Sequence, residues 1–223
     1  MKNIVVISAH PDDEVLGLGG TLLKHSINSD NIFWIITTKI SQKKGFLSDK
    51  VKSRQIEIDR VKKELGIKKL FQLNFNTMNL SSETTINMIE EISSIFKKIQ
   101  PEIIYCVNRT DAHSDHRHTF DAVAACTKSF RFPSIKMLLL YECISETEFA
   151  PSVPERVFQP NYFVDITNYL EKKIDIMKIY DSEIGDHPFP RSEKNIRALA
   201  TFRGAMAGVI YAEAFQLIKF IDK

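Results

Sequence analysis

The sequence predicts an α/β fold, a mostly parallel sheet flanked by helices with a helical C-terminal part, and three observations support it. Short apolar runs recur without polar alternation, as in Ile4-Val-Val-Ile7 and Ile103-Ile-Tyr-Cys-Val107, which is the pattern of strands covered on both faces. Between them lie longer stretches whose apolar residues return every three or four positions, the period of an amphipathic helix. The two kinds of segment alternate through most of the chain, as in right-handed βαβ units.

In chain order, a strand is expected over residues 2–8 and a helix over 16–25. Residues 32–38 read as a second buried strand, and the lysine-rich 39–50 stretch, which has no apolar period, as a mobile loop. Residues 51–65 place Ile56, Val61 and Leu65 among charges and end at Gly66, a residue suited to closing a helix. A strand at 70–75 precedes a helix over 82–99, whose isoleucines keep helical spacing until Gln100-Pro101 stops it. A strand at 103–107, a helix at 116–129 and a strand at 137–141 continue the alternation. Pro151, Pro154 and Pro160 mark a loop before a short strand at 162–164. Residues 167–180 and 192–220 are expected to be largely helical, separated by a loop at 184–191, with Phe202, Tyr211 and Phe215 as helix-core aromatics.

A chain of 223 residues can bury a substantial core and falls in the range of one domain, taken as 1–223. Its net charge of +2 is too small to argue for nucleic acid or a membrane surface. Cys106, Cys126 and Cys143 form no C-x-x-C pair and are odd in number, which fits reduced thiols better than a disulfide framework. The apolar run 3–8 is too short for a signal peptide or a spanning helix. A cytoplasmic protein is the expectation.

Two polar clusters carry the chemistry. Ala9-His10-Pro11-Asp12-Asp13-Glu14 directly follows the first strand, and open α/β sheets bind ligands beyond the carboxyl ends of their strands. Three consecutive carboxylates repel one another unless water or a cation neutralises them. The metal reading competes with a solvated turn in which Asp12 or Asp13 caps the next helix. Gly17, Gly19 and Gly20 follow, but position 22 is leucine, so a dinucleotide fingerprint is not met and close helix packing is the better explanation. The second cluster, Arg109-Thr-Asp111-Ala-His113-Ser-Asp115-His116-Arg117-His118, follows the strand at 103–107 and holds half of the chain's six histidines. Such a set suits metal ligation; the alternative is a solvated histidine-rich loop. One histidine and one carboxylate from the first cluster plus one histidine from the second would make a three-ligand zinc site with an open position.

These residues resemble the two signature motifs of the PIG-L/LmbE family of zinc-dependent de-N-acetylases. Arg54-Gln-Ile-Glu57 before Leu65-Gly66 is similar to the family's Arg-x-x-Glu helix, and Tyr211-Ala-Glu-Ala-Phe215 to its C-terminal segment. The resemblance implies a Rossmann-like fold and removal of an acetyl group from a small-molecule N-acetylated sugar conjugate. It implies one Zn2+ per chain, with another divalent metal as the substitute, held by His10, Asp13 and His116. It further implies Asp12 as general base, His113 as oxyanion stabiliser, Asp115 as a supporting carboxylate and Arg54 as a substrate-binding residue. Arg109 is a second candidate for an anionic group of the substrate, with surface salt bridging as its alternative. No nucleic acid or membrane partner is expected, and homo-oligomerisation is left open. Where relatives often carry an aspartate after the third strand this chain has Asn76-Thr-Met-Asn79, and its second strand runs into Thr38-Lys-Ile-Ser-Gln-Lys-Lys44, a rim particular to this protein. The competing classes are an amidase for another N-acyl substrate, a metal-dependent phosphohydrolase and a non-catalytic sugar-binding module.

Overall fold

The computed structural model describes residues 1–41 and 45–222. Seven strands form one sheet: β1 (Asn3–Ser8), β2 (Asn31–Lys39), β3 (Lys69–Asn76), β4 (Ile103–Val107), β5 (Met137–Tyr141), β6 (Tyr162–Asp165) and β7 (Ala212–Phe220). The helices are α1 (Asp13–Ile27), α2 (Ser48–Glu64), α3 (Ser82–Ile99), α4 (Ser114–Ala125), α5 (Leu170–Met177) and α6 (Glu193–Ala207). The strand order is β3-β2-β1-β4-β5-β7-β6. The first five strands are parallel, and β7 runs antiparallel to both β5 and β6. Ile4, Val5, Val6 and Ile7 are all fully buried, because helices cover both faces of the sheet. No helix among the described residues is long and apolar enough to cross a membrane.

The expected elements match closely up to residue 141, and α3, β4 and β5 match to the residue. Gly66 takes φ +67 just past α2, the left-handed conformation that ends a helix at least cost in glycine. Of the expected loop at 39–50, Lys39 closes β2 and Ser48 opens α2, while residues 42–44 lie outside the described residues.

The one expected element of the wrong type is the end of the 192–220 helix. Ser192 caps α6 by accepting the Asn195 N–H, and Gly208 ends it with φ +71. The remaining Ala212–Phe220 is a strand threaded between β5 and β6. Its Ala, Glu, Leu and Lys are good helix formers, but the open edge of β5 offers a full ladder of hydrogen bonds, and tertiary pairing overrides a weak local preference. Phe215 is accordingly a fully buried strand residue and Phe202 an exposed helix residue, so neither is a helix-core aromatic.

Threading β7 here brings Glu213 against α1. That helix is kinked at Leu18 (φ −149), and Glu213 accepts the backbone N–H groups of Gly20 and Thr21 at 2.9 and 2.7 Å. The carboxylate is neutralised by buried Lys173 at 2.7 Å, which also donates to the Leu16 carbonyl at 2.8 Å. The kink frees backbone donors, and the carboxylate satisfies them inside the core.

Close packing explains the glycines of α1. A Cβ on Gly17 would lie 2.2 Å from the Tyr141 ring, and one on Gly20 would lie 2.7 Å from Ile166. The Tyr141 ring cannot retreat, being fully buried with its hydroxyl donating to the Ile7 carbonyl at 2.9 Å. Gly17→Ala is therefore expected to destabilise the protein by about 1–3 kcal/mol through overpacking. A urea midpoint equal to that of the wild type would show that the contact relaxes without cost.

Candidate active site

Strand β1 has β2 on one side and β4 on the other, so the chain crosses in opposite directions from this pair. The crevice beyond the carboxyl ends of β1 and β4 is the switch point where open α/β sheets bind ligands. Residues 9–14 leave β1 and residues 108–116 leave β4 at this place, so both polar clusters meet there. A cavity of about 470 Å³ opens over them, with His10, Asp12, Asp13 and His113 in its wall, a volume in the range of small-molecule sites.

The turn after β1 is tightly determined. Asp13 Oδ2 accepts the backbone N–H groups of Ala9 and His10 at 2.9 and 2.8 Å, leaving Oδ1 directed elsewhere. Asp12 holds the unusual φ of +120, a conformation that costs a non-glycine residue about 1–3 kcal/mol and persists where surroundings enforce it. Asp12 sits at the N-cap position of α1, yet its side chain makes no capping hydrogen bond. The simple capped-turn alternative therefore does not describe Asp12, whose carboxylate faces the cavity instead.

His10, Asp13 and His116 place one potential ligand atom each within 4.8 Å of the others. His116 is fully buried at the start of α4. Its Nδ1 is 2.8 Å from Asp111 Oδ2, while its Nε2 lies 3.3 Å from Asp13 Oδ1 without a hydrogen-bond partner. An orphaned buried imidazole nitrogen facing a carboxylate oxygen whose one hydrogen bond is a weak one from the Cys143 thiol at 3.5 Å suits a cation between them, since buried polar atoms otherwise find partners. Burial works against a charge on His116, but Asp13 and the Asp111 bond overcome it and raise its pKa well above the ordinary value. A positive charge is thus favoured at this point, and a divalent ion supplies it as a proton does. His10 also faces a second trio with His113 and Asp115.

The other members of the second cluster take distinct places. His113 Nδ1 accepts the Asp115 backbone N–H at 3.1 Å, so the proton of the neutral ring is on Nε2. Burial and the nearby His10 push the His113 pKa down to about 4. Asp115, the supporting carboxylate, serves His10 rather than His113. Its Oδ2 lies 3.9 Å from His113 Nδ1 but 3.0 Å from His10 Nε2, and it accepts the Met78 N–H at 2.8 Å and the Thr77 hydroxyl at 3.2 Å. The Asn76–Asn79 turn thereby anchors Asp115, and through it the His10 ring.

Arg54 is nearly buried and lines the cavity. It donates to Ser182 Oγ at 3.1 Å and to the Pro11 carbonyl at 3.4 Å, and pairs with Glu183. Arg109 is exposed and lies outside the cavity wall, so the structure does not bring it to the site. Arg117 is occupied with the carbonyls of Asp111 and Ala112, His118 reaches Thr85 at 3.3 Å and His187 is exposed.

Several residues of the site escaped the sequence reading. Arg191 donates to Asp12 Oδ2 at 2.6 Å and lies 3.1 Å from Glu183 Oε2. Glu14 is fully buried, accepting the Tyr180 hydroxyl at 2.8 Å and the Asp12 N–H at 3.1 Å. Burial pushes its carboxyl up to about 8, against the lowering effect of those two bonds. Asp111 is held by Asn108 and Thr147, each at 2.8 Å. Asp111 had a legible signal, an acid five residues before His116 in a histidine cluster; Arg191 and Tyr180 had none, since only folding carries them to the switch point.

Comparison with known proteins follows the same lines. The PIG-L family model, described as GlcNAc-PI de-N-acetylase, matches residues 5–127, more than half of the chain. A diacetylchitobiose deacetylase of Thermococcus kodakarensis is 25% identical, with 98% of this chain and 84% of the relative covered. The solved structure of an N,N'-diacetylchitobiose deacetylase from Pyrococcus horikoshii, complexed with an inhibitor, superposes with a TM-score of 0.77 at 25% identity. That match covers 98% of this chain and 84% of the other. A 4-carboxy-2-hydroxymuconate hydratase from Pseudomonas putida has the same fold, with a TM-score of 0.69, 19% identity, and coverage of 100% and 98%. The fold is therefore compatible with more than one reaction, and the residues at the switch point must decide.

Proposed function

The chain belongs to the PIG-L family, and from that premise we propose that it removes the acetyl group from an N-acetylated sugar or sugar conjugate with the help of one zinc ion. The observation that carries this reading is a cavity wall that holds His10, Asp13, the His113 ring and an Asp12 carboxylate with one oxygen unbonded among the described residues, with the buried His116 imidazole 3.3 Å from Asp13. Two imidazoles and one carboxylate match a catalytic zinc site, which keeps a position open for water or substrate. When bound, the cation supplies Lewis-acid polarisation of the amide carbonyl and acidifies water at the site.

The chain's own groups supply the rest. Asp12 Oδ1 accepts the proton of the attacking water, and Asp12 then holds that proton for the leaving amine. His113, neutral with its proton on Nε2, donates a hydrogen bond to the carbonyl oxygen as negative charge develops there, a contribution of about 3 kcal/mol for one well-placed donor. A backbone N–H defines the tautomer, so the neutral ring already presents a donor. Asp115 supports His10, and Arg54 offers the wall a guanidinium beside the reacting centre. Cavity residues run from His10 to Arg191, which supports reading 1–223 as one domain.

Metal per chain by elemental analysis, together with amine release from N,N'-diacetylchitobiose and a panel of N-acetylglucosamine conjugates, tests the proposal. One zinc and chelator-sensitive amine release are expected. Two metals with phosphate release would favour a phosphohydrolase, and absence of metal and turnover a binding module.

A further inference from the structure

We propose that Arg191 is a positioning residue that holds the Asp12 carboxylate in the orientation needed for proton transfer, an inference that rests on the reading of Asp12 as the base. The contact is one-sided. Arg191 Nη1 donates to Asp12 Oδ2 at 2.6 Å, and among the described residues nothing donates to Asp12 Oδ1, in a side chain that lines the cavity. Among the described residues Arg191 is the one arginine or lysine within 4.0 Å of this carboxylate, which is 3% exposed and followed by Asp13 and Glu14. A buried carboxylate in acidic company that does not cap its helix needs such a partner to stay in one rotamer.

Arg191 is itself held from two sides. Glu183 Oε2 lies 3.1 Å from the same Nη1, and Glu183 pairs with Arg54, which reaches the Pro11 carbonyl. The contacts thus form a ring, from Asp12 through Arg191, Glu183 and Arg54 back to the residue preceding Asp12. From the other side, Ser192 caps α6 and Asn195 Nδ2 donates to the Pro190 carbonyl at 2.7 Å, which fixes the backbone on both sides of Arg191. The C-terminal third of the chain, outside the signature motifs, thereby sets the geometry of a residue in the first motif.

The test compares full-length, metal-loaded wild type with Arg191→Met and Arg191→Lys, using amine release from N,N'-diacetylchitobiose or whichever conjugate of the panel the wild type turns over. Arg191→Met is expected to lower kcat by about 100-fold, the size of effect that a displacement near 1 Å produces. KM and zinc content are expected to stay near wild type, with part of kcat restored in Arg191→Lys, while the melting temperature falls because Asp12 and Glu183 lose a shared cationic partner. Unchanged kcat, or a raised KM at unchanged kcat, overturns the proposal; the latter would make Arg191 a substrate anchor. If the wild type releases no amine, the deacetylase reading fails, and a crystal structure of Arg191→Met decides the positioning claim. A rotated Asp12 carboxylate supports it, and one that keeps its rotamer overturns it.

Discussion

Asp12→Asn is expected to keep the fold and the bound zinc while lowering kcat by about 100- to 10,000-fold, the range attributed to one general acid–base group. The amide has nearly the volume of the carboxylate, so it fills the same buried position at φ +120 and adds no backbone strain. It cannot accept a proton from water. Burial first, and the charge of Asp13 second, push the Asp12 carboxyl up to about 7, with Arg191 pulling the other way. A group poised there is suited to taking a proton and returning it within one turnover. Steady-state kinetics and elemental analysis on the same preparation separate the outcomes. Retained zinc with lost kcat is the expected pair, and full turnover would remove Asp12 from the mechanism.

His116→Gln is expected to abolish tight metal binding and all metal-dependent turnover. It removes one of the three proposed ligands and leaves the carboxylates of Asp13 and Asp111, which are 3% and 0% exposed, without the group that lies between them. Loss of a partner for buried charge costs about 3–5 kcal/mol, so a lowered melting temperature should accompany the loss of zinc. Asp111→Asn is milder: it keeps the ligand atoms and alters only the group that orients the His116 ring. Its zinc affinity should fall by about 10- to 100-fold, as read by competition with a chelator. Asp13 and the Asp111 hydrogen bond favour the protonated form of the His116 imidazole in the metal-free protein, and a metal competes with a proton for the imidazole nitrogen. Affinity is therefore expected to weaken as pH falls. Calorimetry in buffers of different ionisation enthalpy reads that proton directly, and buffer-independent heats would show that His116 is not the group displaced.

The parallel half of the fold was legible because β1, β4 and β5 are uninterrupted apolar runs, β2 and β3 are rich in apolar residues, and each intervening helix has its own period and stop signals. Both polar clusters were placed correctly at strand ends for the same reason. The failures share one cause. Residues 212–220 carry a locally helical composition, and only the unpaired edge of β5 turns them into a strand. Arg109 sits in a cluster of apparent chemistry but is exposed and outside the cavity wall, because a loop residue's place is set by the turn that contains it. Asp115 is legible as a supporting carboxylate, but the residue it supports is not, because the Asn76–Asn79 turn places its carboxylate against His10 from a distant segment.

By itself the sequence determined the class of fold, the two motifs and the identity of the residue types available for metal binding and proton transfer, since these depend on local pattern and on side-chain chemistry. Tertiary structure alone decided the tautomer of His113, the partner of Asp115, the burial of Glu14 and the arrival of Arg191 at Asp12. Each of these depends on which donor meets which acceptor across segments far apart in the chain, and the energy of burying an unpaired charge or polar group permits few such arrangements.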